Sequence, residues 1–174
     1  MAEKLFISWE EYNSTVEKLA IQIADSGYKP DILIGIMRGG APIIDVLSRV
    51  FKLKCAYLAV ESYSGKGIED QQGQLIFSRE MSSTAKDLGG NLLLCDDLSD
   101  TGTTLNRSID WLNKYPPLKG KIKDIKTAIL WKKKQSTFEA DYCAIKLSNN
   151  PWIVQPFEKY EEIRVEDLKK KHQK

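Results

Sequence analysis

The sequence predicts an open, mainly parallel twisted α/β sheet flanked by helices. Three observations predict it. Short continuous apolar runs stand at 31–36 (DILIGI), 55–60 (CAYLAV), 91–95 (NLLLC) and 124–131 (DIKTAILW). Runs of that length, unbroken rather than alternating, are the mark of strands buried on both faces, as in parallel sheets. Segments of helical spacing lie between them, giving strand, helix, strand and again strand, helix, strand, the crossovers that parallel pairing requires.

The elements follow in order. Ser8 and Glu11 form an S-x-x-E capping box. Tyr12, Val16, Leu19, Ala20 and Ile23 then recur at helical spacing, and Gly27 with Pro30 ends that helix. After the strand at 31–36, Met37 to Pro42 reads as a turn, and 43–51 resumes helical spacing through Ile43, Val46, Leu47 and Val50. The strand at 55–60 leads into residues 61–79, a polar stretch with three glycines that reads as a binding loop or lid. The strand at 91–95 runs into DDLSDTGTT, and Leu105, Ile109 and Leu112 define the next helix, which Tyr115-Pro-Pro stops. Strands at 124–131 and 140–147 follow, and from Tyr160 a charged surface helix ends in a frayed tail. A chain of 174 residues without repeats or an internal linker is expected to be one domain.

Composition narrows the chemistry. Apolar residues make up 42% and charged residues 29%, an ordinary globular balance. Lys and Arg number 26 against 24 acids, so the net charge of +2 argues against a nucleic-acid binder. No apolar run approaches the roughly 20 residues that span a bilayer, and the opening MAEKLFISWEE has no apolar signal core. The one histidine, His172, lies in a Lys-rich tail, which argues against Ser-His-Asp and Cys-His catalysis. Cys55, Cys95 and Cys143 show neither a CxxC nor a zinc spacing, and their odd number fits a reducing cytoplasm. The remaining tools are carboxylates, amines, backbone amides and a hard metal.

In doubly wound sheets ligands bind beyond the carboxyl ends of the strands. Four clusters stand there: Arg38-Gly39-Gly40, Asp96 through Thr104, Lys132, and Pro151-Trp152-Ile153. All four should meet at one edge. Asp100-Thr101-Gly102-Thr103-Thr104 opens a helix, so unpaired amides, hydroxyls and the helix dipole together suit a phosphate monoester. Asp96 and Asp97 end a buried strand, where two acids are costly unless something binds them. Carboxylates accept from vicinal hydroxyls and ligate Mg²⁺. Two acids beside a phosphate cradle describe a receptor for a ribose 5-phosphate.

LLLCDDLSDTGTTL resembles the phosphoribosyl-diphosphate (PRPP) motif of the type I phosphoribosyltransferases. IGIMRGGAP is similar to that family's pyrophosphate loop, and Glu61-Ser62-Tyr63 opens the 61–79 stretch as the family's flexible loop opens. ILWKKK and NNPWIVQPFE resemble the 6-oxopurine branch, most of all the bacterial xanthine-guanine and hypoxanthine enzymes. The resemblance implies a core at about 28–147, a small hood formed by the N-terminal segment and about 148–165, and a charged tail at 166–174. It also implies a non-proline cis peptide at Met37–Arg38.

The resemblance assigns roles residue by residue. Asp96 and Asp97 would hold the ribose hydroxyls with Mg²⁺ beside them, Asp97 as its ligand and Asp96 as a further candidate; Glu158 matches an acid that in some relatives sits near pyrophosphate and metal. Asp100, Thr101, Gly102, Thr103 and Thr104 would wrap the 5-phosphate, while Arg38 and Gly39 would bind pyrophosphate. Asp100 would also accept the proton of the purine nitrogen. Ser62 and Tyr63 would belong to the flexible loop, with Lys66 and Arg79 adding charge. Trp152 would stack on the base, the Ile153 carbonyl would face its 2-position, and Lys132 would donate to the 6-oxo group. Val154 departs from the pattern, since the xanthine-guanine relatives carry Glu there, so the preferred purine stays open. The implied activity is phosphoribosyl transfer from PRPP to guanine, xanthine or hypoxanthine in a homo-oligomer, a dimer or tetramer. Transfer to orotate or uracil, or a nucleotide-sensing regulator of the same fold, remain as alternatives.

Overall fold

The computed structural model describes residues 3–62 and 75–173. Its strands are β1 (Lys4–Phe6), β2 (Ile32–Met37), β3 (Lys54–Ser62), β4 (Leu75–Phe77), β5 (Ser82–Ser83), β6 (Gly90–Ser99), β7 (Ile122–Lys132), β8 (Tyr142–Lys146) and β9 (Trp152–Val154). Its α-helices are α1 (Trp9–Asp25), α2 (Gly40–Phe51), α3 (Thr103–Lys114), α4 (Lys159–Glu162) and α5 (Val165–His172). The capping box at Ser8 and Glu11 is formed, with Glu11 N donating to Ser8 Oγ at 3.1 Å and Ser8 N to Glu11 Oε2 at 2.8 Å.

The main sheet runs β4-β3-β2-β6-β7-β8, with β5 also on β3. β3, β2, β6, β7 and β8 are parallel, and only β4 and β5 run antiparallel. Alternate residues of the central strands face opposite layers. Leu33, Leu93 and Cys95 pack with Val16, Leu19, Ile43 and Leu47 of α1 and α2. Ile32, Ile34, Leu92 and Leu94 pack with Leu105 and Leu112 of α3. Both faces are thus buried, which is why these strands read as unbroken apolar runs. From β2 the chain winds to β3 on one side, then returns to place β6 on the other side of β2. The carboxyl ends of β2 and β6 therefore flank the topological switch point, where such sheets bind ligands.

Several elements differ from the sequence expectation. β6 runs on through Asp96 and Asp97 to Ser99, because β7 pairs with it as far as Lys132; the acids do not end the strand. α2 begins at Gly40, three residues before its apolar spacing starts. β1 and β9 form a separate parallel pair; like β4 and β5 they are too short to carry a period. β3 continues to Ser62 and β4 occupies 75–77, so part of the 61–79 stretch is sheet. Tyr63, Lys66 and the side chain of Ser62 lie outside the described residues. The tail forms two short helices rather than one. The three cysteines are free; Cys95 is buried, Cys55 and Cys143 half-buried. Among the described residues no helix is long and apolar enough to cross a membrane.

Candidate active site

The turn after β2 lies directly against the end of β6. The Met37–Arg38 peptide is cis. A Cβ on Gly39 would run into the Asp97 carboxylate, and one on Gly40 into the Cys95 carbonyl. Glycine is required at both positions for close approach. The Arg38 guanidinium is exposed, and its Nη2 lies 2.8 Å from Glu161 Oε1 of α4.

Asp96 is buried, 7% exposed, and Asp97 is half-buried beside it. Asp97 N donates to Asp96 Oδ1 at 3.0 Å, and Gln155 Nε2 donates to Asp97 Oδ2 at 3.1 Å. Burial pushes both carboxyls above the usual carboxylate range; the charge of Asp97 raises Asp96 further, and Glu158 adds to the effect on Asp97. Two carboxylates offer about eight lone-pair sites between them, far more than these donors fill. Two neighbouring buried atoms lack partners as well: Gln155 Oε1, on the amide that meets Asp97, and the Tyr12 hydroxyl. Burial, then the charges of Asp97 and Asp96, hold Tyr12 above its ordinary range. This pocket of acids favours whatever brings hydrogen-bond donors or positive charge.

Immediately beyond β6 the backbone turns through Gly102, whose φ of +92° and contact with Phe138 admit no side chain. α3 starts at Thr103. The Thr101 hydroxyl meets the Thr103 hydroxyl at 2.9 Å and accepts from Thr103 N at 3.3 Å, a partial cap. The Thr104 and Leu105 amides lie in the first turn, where no helical carbonyl precedes them. Amides and dipole together attract an anion.

The loop after β7 is laced to this turn. Lys133 N donates to Ser99 O at 3.0 Å, Thr137 N to Thr101 O at 3.3 Å, and the buried Ser99 and Ser136 hydroxyls meet at 2.7 Å. Lys133, 7% exposed, extends its ammonium to 3.2 Å from Asp100 Oδ1, and Gln135 Nε2 donates to the same oxygen. Lys132 takes another direction. It pairs with Glu139, which Lys146 also approaches at 3.5 Å; both cations hold Glu139 below the usual carboxylate range, Lys132 the more strongly.

β9 presents Trp152, 58% exposed, whereas Ile153 is buried. Trp152 N donates to Glu3 O and Val154 O accepts from Ile7 N, so the bonds to the β1 side fall on residues 152 and 154. By strand alternation the Ile153 N–H and C=O face the opposite edge. A groove of about 840 Å³ runs along this segment between Phe6, Trp9, Trp152, Val154 and Glu158.

Two of the four sequence clusters meet directly, since Gly39 packs against Asp97; the other two reach the acids only through neighbours of the residues singled out, Gln155 beyond β9 donating to Asp97 and Lys133 reaching Asp100. Lys132 is not brought to Asp100. Sequence reasoning gave no role to Lys133, Gln135, Gln155 or Glu161. Lys133 was hidden inside a run of three lysines, and only the alternation at the end of β7 separates it from its neighbour. Gln155 stood in the quoted Gln-Pro-aromatic motif; nothing in the sequence pointed to Gln135 or Glu161.

A parallel sheet with an acid pair and a helix N-terminus at its switch point is a site that offers acceptors for hydroxyls or a cation beside amides suited to an anion. Residues 8–162 match the phosphoribosyl transferase domain family, and the chain belongs to that family. It is 28% identical over 152 residues to the hypoxanthine-guanine phosphoribosyltransferase of Aquifex aeolicus, covering 83% of this chain and 80% of that protein. It is 31% identical over 104 residues to the xanthine-guanine phosphoribosyltransferase of Idiomarina loihiensis, covering 59% and 60%. A solved purine phosphoribosyltransferase from Pyrococcus horikoshii Ot3 superimposes with a TM-score of 0.70 at 27% identity, over 93% of this chain and 97% of that one.

Proposed function

We propose that the chain transfers the 5-phosphoribosyl group of PRPP to a 6-oxopurine, guanine, xanthine or hypoxanthine, with release of pyrophosphate, in purine salvage. The observation that carries this reading is the pair of buried Asp96 and half-buried Asp97, followed within six residues by the α3 N-terminus at the switch point. Acids suit the ribose diol, and amides with hydroxyls from Thr101 to Thr104 suit the 5-phosphate. The names of the Aquifex, Idiomarina and Pyrococcus relatives support a purine as acceptor.

In this mechanism the purine nitrogen bonds to ribose C1 as the bond from C1 to the pyrophosphate oxygen breaks. Asp100 accepts the proton that the nitrogen loses. Arg38 and the turn at Gly39 bind the departing pyrophosphate. Trp152 stacks on the base, and the Ile153 carbonyl, on the open edge of β9, meets its 2-position. Lys133, adjoining Asp100, replaces Lys132 as donor to the 6-oxo oxygen, which an adenine amino group cannot replace as acceptor.

Among the described residues no three acids, histidines or cysteines form a metal cage. Mg²⁺ needs none, since it takes one or two carboxylates and completes its shell with water and substrate phosphates. The under-donated carboxylate of Asp97, with Asp96 and Glu158 near it, fits that role. When bound, Mg²⁺ neutralises charge on pyrophosphate. The reading further takes residues 1–174 as one catalytic domain with a hood of β1 and β9, in a cytoplasmic homo-oligomer.

The test is PRPP and Mg²⁺ with a panel of guanine, xanthine, hypoxanthine, adenine, orotate and uracil. Nucleotide should form from 6-oxopurines, with adenine at least about a hundredfold poorer in kcat/KM. Product from orotate alone, or no turnover together with salt-dependent RNA binding, would refute the proposal.

A further inference from the structure

The Asp100 side chain is half exposed, so packing alone does not fix its rotamer. What holds it is a pair of donors, Gln135 Nε2 and Lys133 Nζ, and both reach the same oxygen, Oδ1. The two donors differ in kind. An ammonium on a four-carbon stem is a point charge that fixes no plane. A carboxamide donates along a set direction and adds no charge.

The backbone that carries Gln135 is itself tied down on two sides. Gln135 N donates to Asn150 Oδ1 at 2.8 Å, and Lys134 N donates to Asn149 O at 3.2 Å. These bonds join it to the segment that leads through Pro151 into Trp152. On the other side, Lys133 N and Thr137 N bond to Ser99 O and Thr101 O, the residues flanking Asp100. Gln135 therefore stands on a short bridge between the turn bearing Asp100 and the strand bearing Trp152.

We propose that Gln135 is a positioning residue: its amide clamps Asp100 Oδ1 so that Oδ2 is presented to the purine nitrogen, in register with the platform at Trp152. The inference rests on the reading of Asp100 as proton acceptor. Proton transfer needs the two heavy atoms within about 2.6–3.2 Å, and a displacement of roughly 1 Å can cost about a hundredfold in rate. Lys133 continues to hold the carboxylate nearby when the amide is gone, so the loss should be smaller than that.

The test is Q135M, which keeps length and removes the donor at an exposed position, so the fold is not at risk. It should lower kcat about tenfold while the KM values for PRPP and purine stay within about twofold. Placed on D100N, the same change should cost nothing more, since no proton acceptor remains to be positioned. An unchanged kcat in Q135M, a loss confined to KM, or a tenfold loss that persists in D100N would overturn the inference. If D100N falls steeply while Q135M turns over normally, Gln135 alone is misread. If D100N keeps full turnover, the role of Asp100 fails first and the clamp with it.

Discussion

The two ends of the central strands make opposite use of the same residue types. At the amino end, Asp31 N donates to Asn91 O at 2.8 Å and Asn91 N to Asp31 Oδ2 at 2.7 Å, Asn91 Nδ2 donates to Lys29 O at 3.1 Å, and Gly90 N to Lys121 O at 2.8 Å. Backbone and side chains there satisfy one another. At the carboxyl end, buried Asp96 and half-buried Asp97 have few donors, while Gln155 Oε1 and the Tyr12 hydroxyl have none. Unfilled polar capacity inside a protein costs stability. Such capacity suits a ligand that supplies the missing partners, and here it gathers around the acid pair at the switch point.

The sharpest way to break that contrast is to remove an aspartate from each end. D97A should lower kcat/KM for PRPP about a hundredfold, since a charged acceptor of the substrate is lost. D31A should leave kcat/KM within about twofold and lower the melting temperature by a few degrees. Steady-state kinetics and thermal denaturation of both variants check this; equal kinetic losses would erase the distinction. The next largest effect separates two adjacent lysines. K133A should reduce kcat/KM for hypoxanthine about thirtyfold and K132A less than about threefold, because only Lys133 reaches Asp100. The reverse order in the same assay would return the base contact to Lys132.

A smaller effect comes from the carboxyl raised by burial. A carboxyl whose folded-state pKa exceeds its ordinary 3.8 favours the fold below that value and loses this advantage as pH rises through the folded-state value. Asp96 therefore weakens the unliganded chain most at alkaline pH. D96N should raise the melting temperature more at pH 8 than at pH 5, by about 2–4 °C for each kcal/mol. An equal gain at both pH values would show that Asp96 carries no such penalty. The smallest effect concerns Arg38, which Glu161 occupies at 2.8 Å where pyrophosphate would bind. Exposed ion pairs contribute about 0–1 kcal/mol, so E161Q should lower the KM for PRPP about two- to threefold. An unchanged or raised KM would mean that the contact does not compete with substrate.

Much of the fold was legible because burial on both sheet faces writes itself into unbroken runs such as ILIGI and LLLC. The short strands were not legible. Three residues of β1 or β9 carry no period, and their pairing joins positions some 148 residues apart, as Lys4 and Trp152 do. In the site, the acids and the Thr-rich helix start could be read because their chemistry is local to one segment. What joins segments could not. Lys133 is separated from Lys132 only by side-chain alternation at a strand end, and the donors to Asp100 come from a different loop altogether. Even the extension of β6 through its two acids depended on β7 lying alongside.

Where a nucleotide sits in this protein is the decisive observation. A crystal structure with a 6-oxopurine nucleoside 5′-monophosphate should place the phosphate on the amides and hydroxyls of Thr101 to Thr104 and the ribose hydroxyls on Asp96 and Asp97. Density for the nucleotide elsewhere, with that turn vacant, would contradict it.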